Sequence, residues 1–255
     1  MFPLRDDNPT ELAPVITIAL LLANVAVWLY VQGAGLRPEA LAGSVCSYGT
    51  IPAELTGRTR DYVGVDLGGG MRCMFGGLRW PTVGTSMFLH GSWLHLIGNM
   101  WFLWLFGNNV EDSMGHLRFL VFYLLAGGIA GLAHVYSAPG SPVPTVGASG
   151  AISGVMGAYL LLYPRIHVQT LFVFFFIVRI IAIPAWLVLA EWFVLQLLAS
   201  ATQTAEAGGV AYWAHLGGFA AGALLVIPFR SPLLVQAKKR RVKLDPAQVP
   251  HRGWW

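Results

Sequence analysis

Apolar residues fall into long runs over roughly 13–32, 92–107, 117–136, 147–163, 183–199 and 211–228, separated by polar or Gly/Pro-containing stretches. Such lengths suit helices that cross about 30 Å of hydrocarbon, so the pattern predicts six transmembrane helices. The first run begins too late, is too long and lacks a small-residue cleavage site, and it reads as a retained helix and not a leader. The segment VQTLFVFFFI, Val168 to Ile177, is too short to span and is followed by Arg179. It is expected to form an interfacial or re-entrant link, with Pro184 opening the fifth helix; a seventh span is the alternative. The predicted fold is an all-α polytopic membrane bundle. It has an N-terminal segment 1–12, a six-helix domain 13–229 with a long first loop at about 33–91, and a tail 230–255.

Composition supports a membrane solvent. Of 255 residues, 56% are hydrophobic and 11% charged, where a soluble domain is about a quarter charged. In the six-span arrangement one side collects Arg5, Arg118, Arg165, Arg179 and the seven basic residues of the tail. The other side holds Arg37, Arg58, Arg60, Arg72 and Arg79, all in the first loop. The positive-inside rule then puts both termini in the cytoplasm and makes the chain a multi-pass protein of the plasma (inner) membrane. The tail run KKRRVK, Lys238 to Lys243, is expected at anionic headgroups, in a tail weakly ordered from Ser231 onward. So short a run needs no nucleic-acid partner to explain it.

With this topology the second, fourth and sixth helices enter from the outer face, and their first turns share one depth. The second opens with HGSWLHLIGNM, which sets His95 and Asn99 four residues apart on one face. The fourth opens with GASG around Ser149, and the sixth with AYWAHLGGFAAG around His215. Polar side chains at that depth face a bundle interior or a water-filled cavity. A serine, two histidines and an asparagine at one level have the makings of a nucleophile, its base and an oxyanion site.

Length adds to this. Residues 147–163 give about 25 Å of helix against about 30 Å of hydrocarbon, so Ser149 is expected below the outer surface in a submerged, hydrated pocket. Gly150, Gly154 and Gly157, facing Gly218 and Gly222, form small-residue stripes that let the fourth and sixth helices approach closely. Free N–H groups at the start of the fourth helix add an oxyanion donor.

These motifs closely resemble those of the rhomboid family of intramembrane serine proteases. Gly147-Ala148-Ser149-Gly150 matches the family's GxSG, His95 to Asn99 its HxxxN, and Ala214-His215-Leu216-Gly217-Gly218 with Gly222 its AHxxGxxxG. The likeness runs from the first helix to Phe229. It implies Ser149 as nucleophile and His215 as general base, with no carboxylate third member. His95, Asn99 and the Ser149 backbone N–H would hold the oxyanion. It also implies single-pass transmembrane proteins as substrates, cut through an acyl-enzyme next to small and helix-weakening residues, with no metal or organic cofactor. Where some relatives carry a tyrosine stacked on the histidine, this chain has Ser153. The pair Arg79-Trp80 reads in the opposite order to the family's Trp-Arg element, and no role is transferred to it.

Blander readings stand beside these. Ser149 alone reads as a helix cap, and His95 and Asn99 as interhelical bridges. His116, His134, His167 and His251 read as interface or loop residues, and His90 as a structural partner at the mouth of the second helix. Glu191, the one acid expected inside a span, would be the natural ion site of a transporter, but a repeated second half and broken-helix pairs are missing. A pseudoprotease that binds transmembrane helices without cutting them is the other rival. Cys46 and Cys73, both in the first loop, form the one disulfide open to this chain, two free thiols being the alternative. The sequence leaves the oligomeric state open.

Overall fold

The computed structural model describes residues 1–59, 63–66, 72–202 and 211–240. Arg60, Arg241, Lys243, His251 and Arg252 lie outside the described residues. In chain order the elements are β1 (Phe2–Asp6), α1 (Val15–Ala26), α2 (Pro38–Tyr48), α3 (Pro52–Leu55), β2 (Gly64–Asp66), β3 (Arg72–Met74), α4 (Thr82–Thr85), α5 (Trp93–Phe102), α6 (Asn108–Met114), α7 (His116–Ser137), α8 (Ser149–Leu162), β4 (His167–Phe174), β5 (Ile177–Pro184), α9 (Ala185–Thr202), α10 (Tyr212–Phe229) and α11 (Pro232–Arg240). Wide π turns over Val27–Val31 and Leu103–Gly107 extend α1 and join α5 to α6.

The chain is mainly helical, and α7 and α10 are each long and apolar enough to cross a bilayer. Val15–Val31, Ser149–Leu162 and Ala185–Ser200 are shorter apolar helices. The core gathers where α6, α7, α8 and α10 meet, around Phe106, Phe119, Phe122, Tyr123, Val155 and Tyr159. Gly115, at φ +85°, turns α6 into α7, a conformation that suits a residue without Cβ.

Two expectations are corrected here. The fold is not all-α, because β1, β4 and β5 form an antiparallel sheet in the order β1-β4-β5, and β2 pairs with β3. The segment from Val168 to Ile177 makes most of a β-hairpin, registered from His167 against Pro184 to Phe174 against Ile177. Pro184 closes β5, and α9 begins one residue later. The physical reason is composition. The segment is rich in Val, Ile, Phe and Thr, which suit a pleated strand, and β1 supplies the backbone partners for one edge. Val173, Phe175, Phe176, Val178 and Ile180 expose apolar side chains around the turn.

The tail is the second correction. From Pro232 it forms α11, and Lys238 is buried and not spread on a surface. Its Nζ lies 2.7 Å from Asp112 Oδ2 and also donates to Asn109 Oδ1. Asp112 in turn accepts from the backbone N–H groups of Glu11 and Leu12 at 3.0 and 2.8 Å. Its neighbour Glu111 accepts from the Ile16 and Thr17 N–H groups at 2.9 and 2.8 Å, which satisfies donors that the first turn of α1 would otherwise leave unpaired. The same carboxylate meets His116 Nδ1 at 2.6 Å. The N-terminus, the α6–α7 junction, the hairpin and the tail thus share one end of the bundle.

The first loop is stapled at the other end. Cys46 and Cys73 are joined in a disulfide across 27 positions, with Cα atoms 5.2 Å apart. Arg79 pairs with buried Glu54 at 2.8 Å, and Gly76 N–H donates to the same carboxylate. Arg79 therefore ties one part of the loop to another.

Candidate active site

The site begins with a close approach of backbones. α8 and α10 cross with Gly157 against the Phe219 carbonyl, where a Cβ would sit 2.1 Å from the oxygen. Gly218 lies against the Gly150 carbonyl and Gly222 against that of Gly154, where a Cβ would sit 2.1 and 1.9 Å away. Gly150 and Gly154 also face Ala130 and Ala126 of α7. Only helices without side chains at these contacts can pack so tightly.

That spacing brings Ser149, the first residue of α8, to His215 on α10. Ser149 Oγ and His215 Nε2 are 2.7 Å apart. Ser153 Oγ donates to the Ser149 carbonyl at 2.6 Å, one turn along α8. The chain reaches Ser149 through Gly147 at φ +132°, whose N–H donates to the Ser86 carbonyl at 2.9 Å. A Cβ on Gly147 would stand 2.8 Å from the Nε2 and Cε1 atoms of His95. Both the dihedral and the crowding demand glycine there.

His95 is placed by α5. Its backbone N–H donates to the Ser92 hydroxyl at 3.1 Å as the helix cap, and its Nδ1 accepts from Gly91 N–H at 3.3 Å. With Nδ1 accepting, the neutral ring carries its proton on Nε2, aimed at the Gly147 and Ser149 side of the cavity. His90 packs edge-on against this ring with centroids 5.1 Å apart. The Gln32 side chain fixes the His90 backbone, its Nε2 donating to the His90 carbonyl and its Oε1 accepting from the His90 N–H, each at 2.8 Å.

A cavity of about 540 Å³ opens over these groups, lined by Ser149, His215, His95, Gly147 and Met87 among others. This volume lies within the usual range of small-ligand clefts. Asn99 sits one turn below His95, buried, and its side-chain nitrogen has no hydrogen-bond partner. It does not line the cavity. Ser149, His215 and His95 are therefore brought together at the surface of the cavity, and Asn99 lies behind them with a spare donor.

Sequence reasoning missed three residues here. His134 of α7 lines the cavity and is not merely an interface histidine. Its signal was the helical face Gly127, Ala130, Gly131, His134, a small-residue stripe ending in a polar group. Gln196 and Trp192 of α9 both reach His215. Gln196 Oε1 lies 2.7 Å from Nδ1, and the Trp192 ring lies 5.8 Å from the imidazole at 40°. Trp192 thus packs an aromatic ring against His215 from α9, while Ser153 on α8 has none to offer. Glu191, beside it in sequence, does not line the cavity. Among the described residues no cluster of three or more His, Cys, Asp or Glu side chains is arranged to hold a metal ion.

Comparison with known proteins shows the family. Residues 78–232, more than half of the chain, match the family model described as Rhomboid domain. The chain is 37% identical over 82 residues to Rhomboid-like protein 11, chloroplastic, of Arabidopsis thaliana, covering 32% of this chain and 29% of that protein. It is 42% identical over 81 residues to Rhomboid protease GluP of Bacillus subtilis (strain 168), covering 32% of this chain and 15% of that one. It is 34% identical over 89 residues to the human Presenilin-associated rhomboid-like protein, mitochondrial, covering 34% and 24%. The matched stretches thus span less than a third of those relatives. The domain match, the helical fold and the apolar spans together identify the chain as a member of the rhomboid family of integral membrane proteins.

Proposed function

We propose that this chain is an intramembrane serine endopeptidase that cleaves transmembrane segments of membrane proteins. The observation that carries this reading is the 2.7 Å contact between Ser149 Oγ and His215 Nε2 inside a cavity that also holds His95. A nucleophile and base at hydrogen-bond distance, with donors facing the same space, is the geometry acyl transfer needs. The name protease carried by the GluP relative agrees with it.

In this mechanism Ser149 Oγ attacks the scissile carbonyl while its proton passes to His215 Nε2. The carbonyl oxygen becomes an anion held by His95 Nε2–H and the Ser149 backbone N–H, with the unpartnered Asn99 amide one turn behind them as a further donor once its side chain turns toward the cavity. The imidazolium returns its proton to the departing amine, and an acyl-enzyme on Ser149 remains. Water from the cavity, deprotonated by His215, then releases the acid. The substrate's helix must open at the scissile bond, because an intact helix hydrogen-bonds and encloses that carbonyl.

The membrane arrangement follows the same reading. α8 holds 14 residues, about 21 Å of helix, so Ser149 lies below the nearer membrane surface. The helices α1, α5 with α6, α7, α8, α9 and α10 make six crossings. The gathering of the N-terminus, hairpin and tail at the end remote from Ser149 supports counting their positive charges together and placing both termini in the cytoplasm.

The test is labelling of detergent-solubilised protein with a fluorophosphonate probe, beside Ser149→Ala and His215→Ala. Labelling in the wild type and loss in both variants is expected. Persistent labelling of Ser149→Ala overturns the assignment of the nucleophile. Folded wild type that neither labels nor cuts transmembrane substrates is a binder without protease activity.

A further inference from the structure

The imidazole of His215 has two nitrogens, and each meets a different helix. Nε2 faces Ser149 of α8 and Nδ1 faces the side-chain oxygen of Gln196 on α9, both at 2.7 Å. A neutral imidazole carries one proton and one lone pair, so the group on Nδ1 decides what Nε2 can do. An amide oxygen only accepts. It holds the proton on Nδ1 and leaves the Nε2 lone pair free to take the serine proton.

Trp192 lies one turn earlier on the same face of α9, as i and i+4 residues do, and packs against the same ring. The base is thus gripped by a helix that carries neither the nucleophile nor the base itself. We infer that Gln196 is a positioning residue that sets the tautomer of His215, with Trp192 fixing the ring plane, so that the base is competent only while α9 is seated. This inference rests on the serine-protease reading above.

A neutral amide suits its surroundings. A carboxylate in this place would itself need burial in the membrane, which is costly, whereas an amide aligns the ring without adding a charge. It also makes a weaker bond than a charged acceptor would. The expected effect of removing it is therefore smaller than that of removing the acid of a Ser-His-Asp triad, which is about 10⁴-fold in kcat.

The experiment compares wild type with Gln196→Leu and Gln196→Glu, each first shown to be folded at the assay temperature by a cooperative thermal transition and an unchanged elution volume. Turnover of a transmembrane peptide substrate in detergent gives kcat and KM, and ¹⁵N spectra of ring-labelled histidine, assigned with His215→Asn, read the tautomer without catalysis. Gln196→Leu is expected to lower kcat by about 10- to 100-fold with KM unchanged, the cost of orphaning a buried donor. Its His215 signals are expected to move from one protonated Nδ1 to an averaged pair. Gln196→Glu, which keeps an acceptor oxygen at the same reach but must bury a carboxyl group, is expected to recover part of the rate.

Unchanged kcat together with an unchanged ¹⁵N pattern in Gln196→Leu overturns the inference and leaves the protease reading standing. A wild type that does not turn over, but whose Nδ1 proton is lost in Gln196→Leu, overturns the protease reading and leaves the tie between Gln196 and His215 intact.

Discussion

Gly222 and Gly154 meet backbone to backbone, so that a Cβ on Gly222 would lie 1.9 Å from the Gly154 carbonyl oxygen. The contact fixes the spacing of α8 and α10, and with it the distance from Ser149 to His215. Gly222→Ala is expected to cost about 1–3 kcal/mol or more, since the backbones must separate, and to lower activity with it. Gly128 on α7 meets nothing within 4 Å. Gly128→Ala should be neutral or stabilise by a few tenths to about 1 kcal/mol. Thermal unfolding in detergent checks both, and equal midpoints for the two variants would contradict the packing argument.

Donors to the oxyanion matter only in the transition state. His95→Ala and Asn99→Ala are each expected to lower kcat by about 10²–10³-fold while KM changes little. Asn99 already has a buried nitrogen without a partner, so its replacement should leave stability nearly unaltered. Full kcat in Asn99→Ala would remove it from the oxyanion site.

The disulfide between Cys46 and Cys73 closes a loop spanning 27 positions. In the loop-entropy account such a cross-link stabilises by about 3–4 kcal/mol. Cys46→Ser, or reduction of the wild type, should lower the unfolding midpoint and speed proteolysis of the first loop, leaving the helices protected. Proteolysis rates that are identical with and without reductant would argue against a bridge in solution.

Asp6 at the end of β1 accepts from Tyr159 at 2.5 Å and from Asn109 at 2.8 Å. Burial outweighs these bonds and raises its pKa from 3.8 to about 6. Between those values the folded chain keeps a proton that the unfolded chain has lost, so stability falls as pH rises through that window and levels off above it. Hydrogen exchange of β1 amides should accelerate across pH 4–6 beyond its intrinsic rate. In Asp6→Asn that excess should vanish.

The apolar runs that became α7 and α10 were legible because a bilayer demands length and hydrophobicity together. The three polar motifs were legible because they open helices that enter from one face. The hairpin was not. Val168 to Pro184 is almost continuously apolar, and a run without alternation does not reveal whether it is strand or helix. Its partner β1 lies more than 160 residues away, beyond any local pattern. Gln196 was hidden for a related reason. A glutamine in a helix rich in Leu, Val and Trp carries no motif, and its role exists only because α10 brings His215 to it. Lys238 was misread because a basic run normally stays solvated, whereas here Asp112 and Asn109 give one of its members a buried site.

The sheet that pairs Phe2 with Leu171 also sets a timetable. Ribosomes add about 5–20 residues each second, so β1 emerges roughly 10 to 30 s before its partner strand has been made. Lys238 arrives later still to meet Asp112. β1 is thus made well before its place in the sheet exists. This end of the molecule is closed by α11, after the nucleophile's helix has already been built.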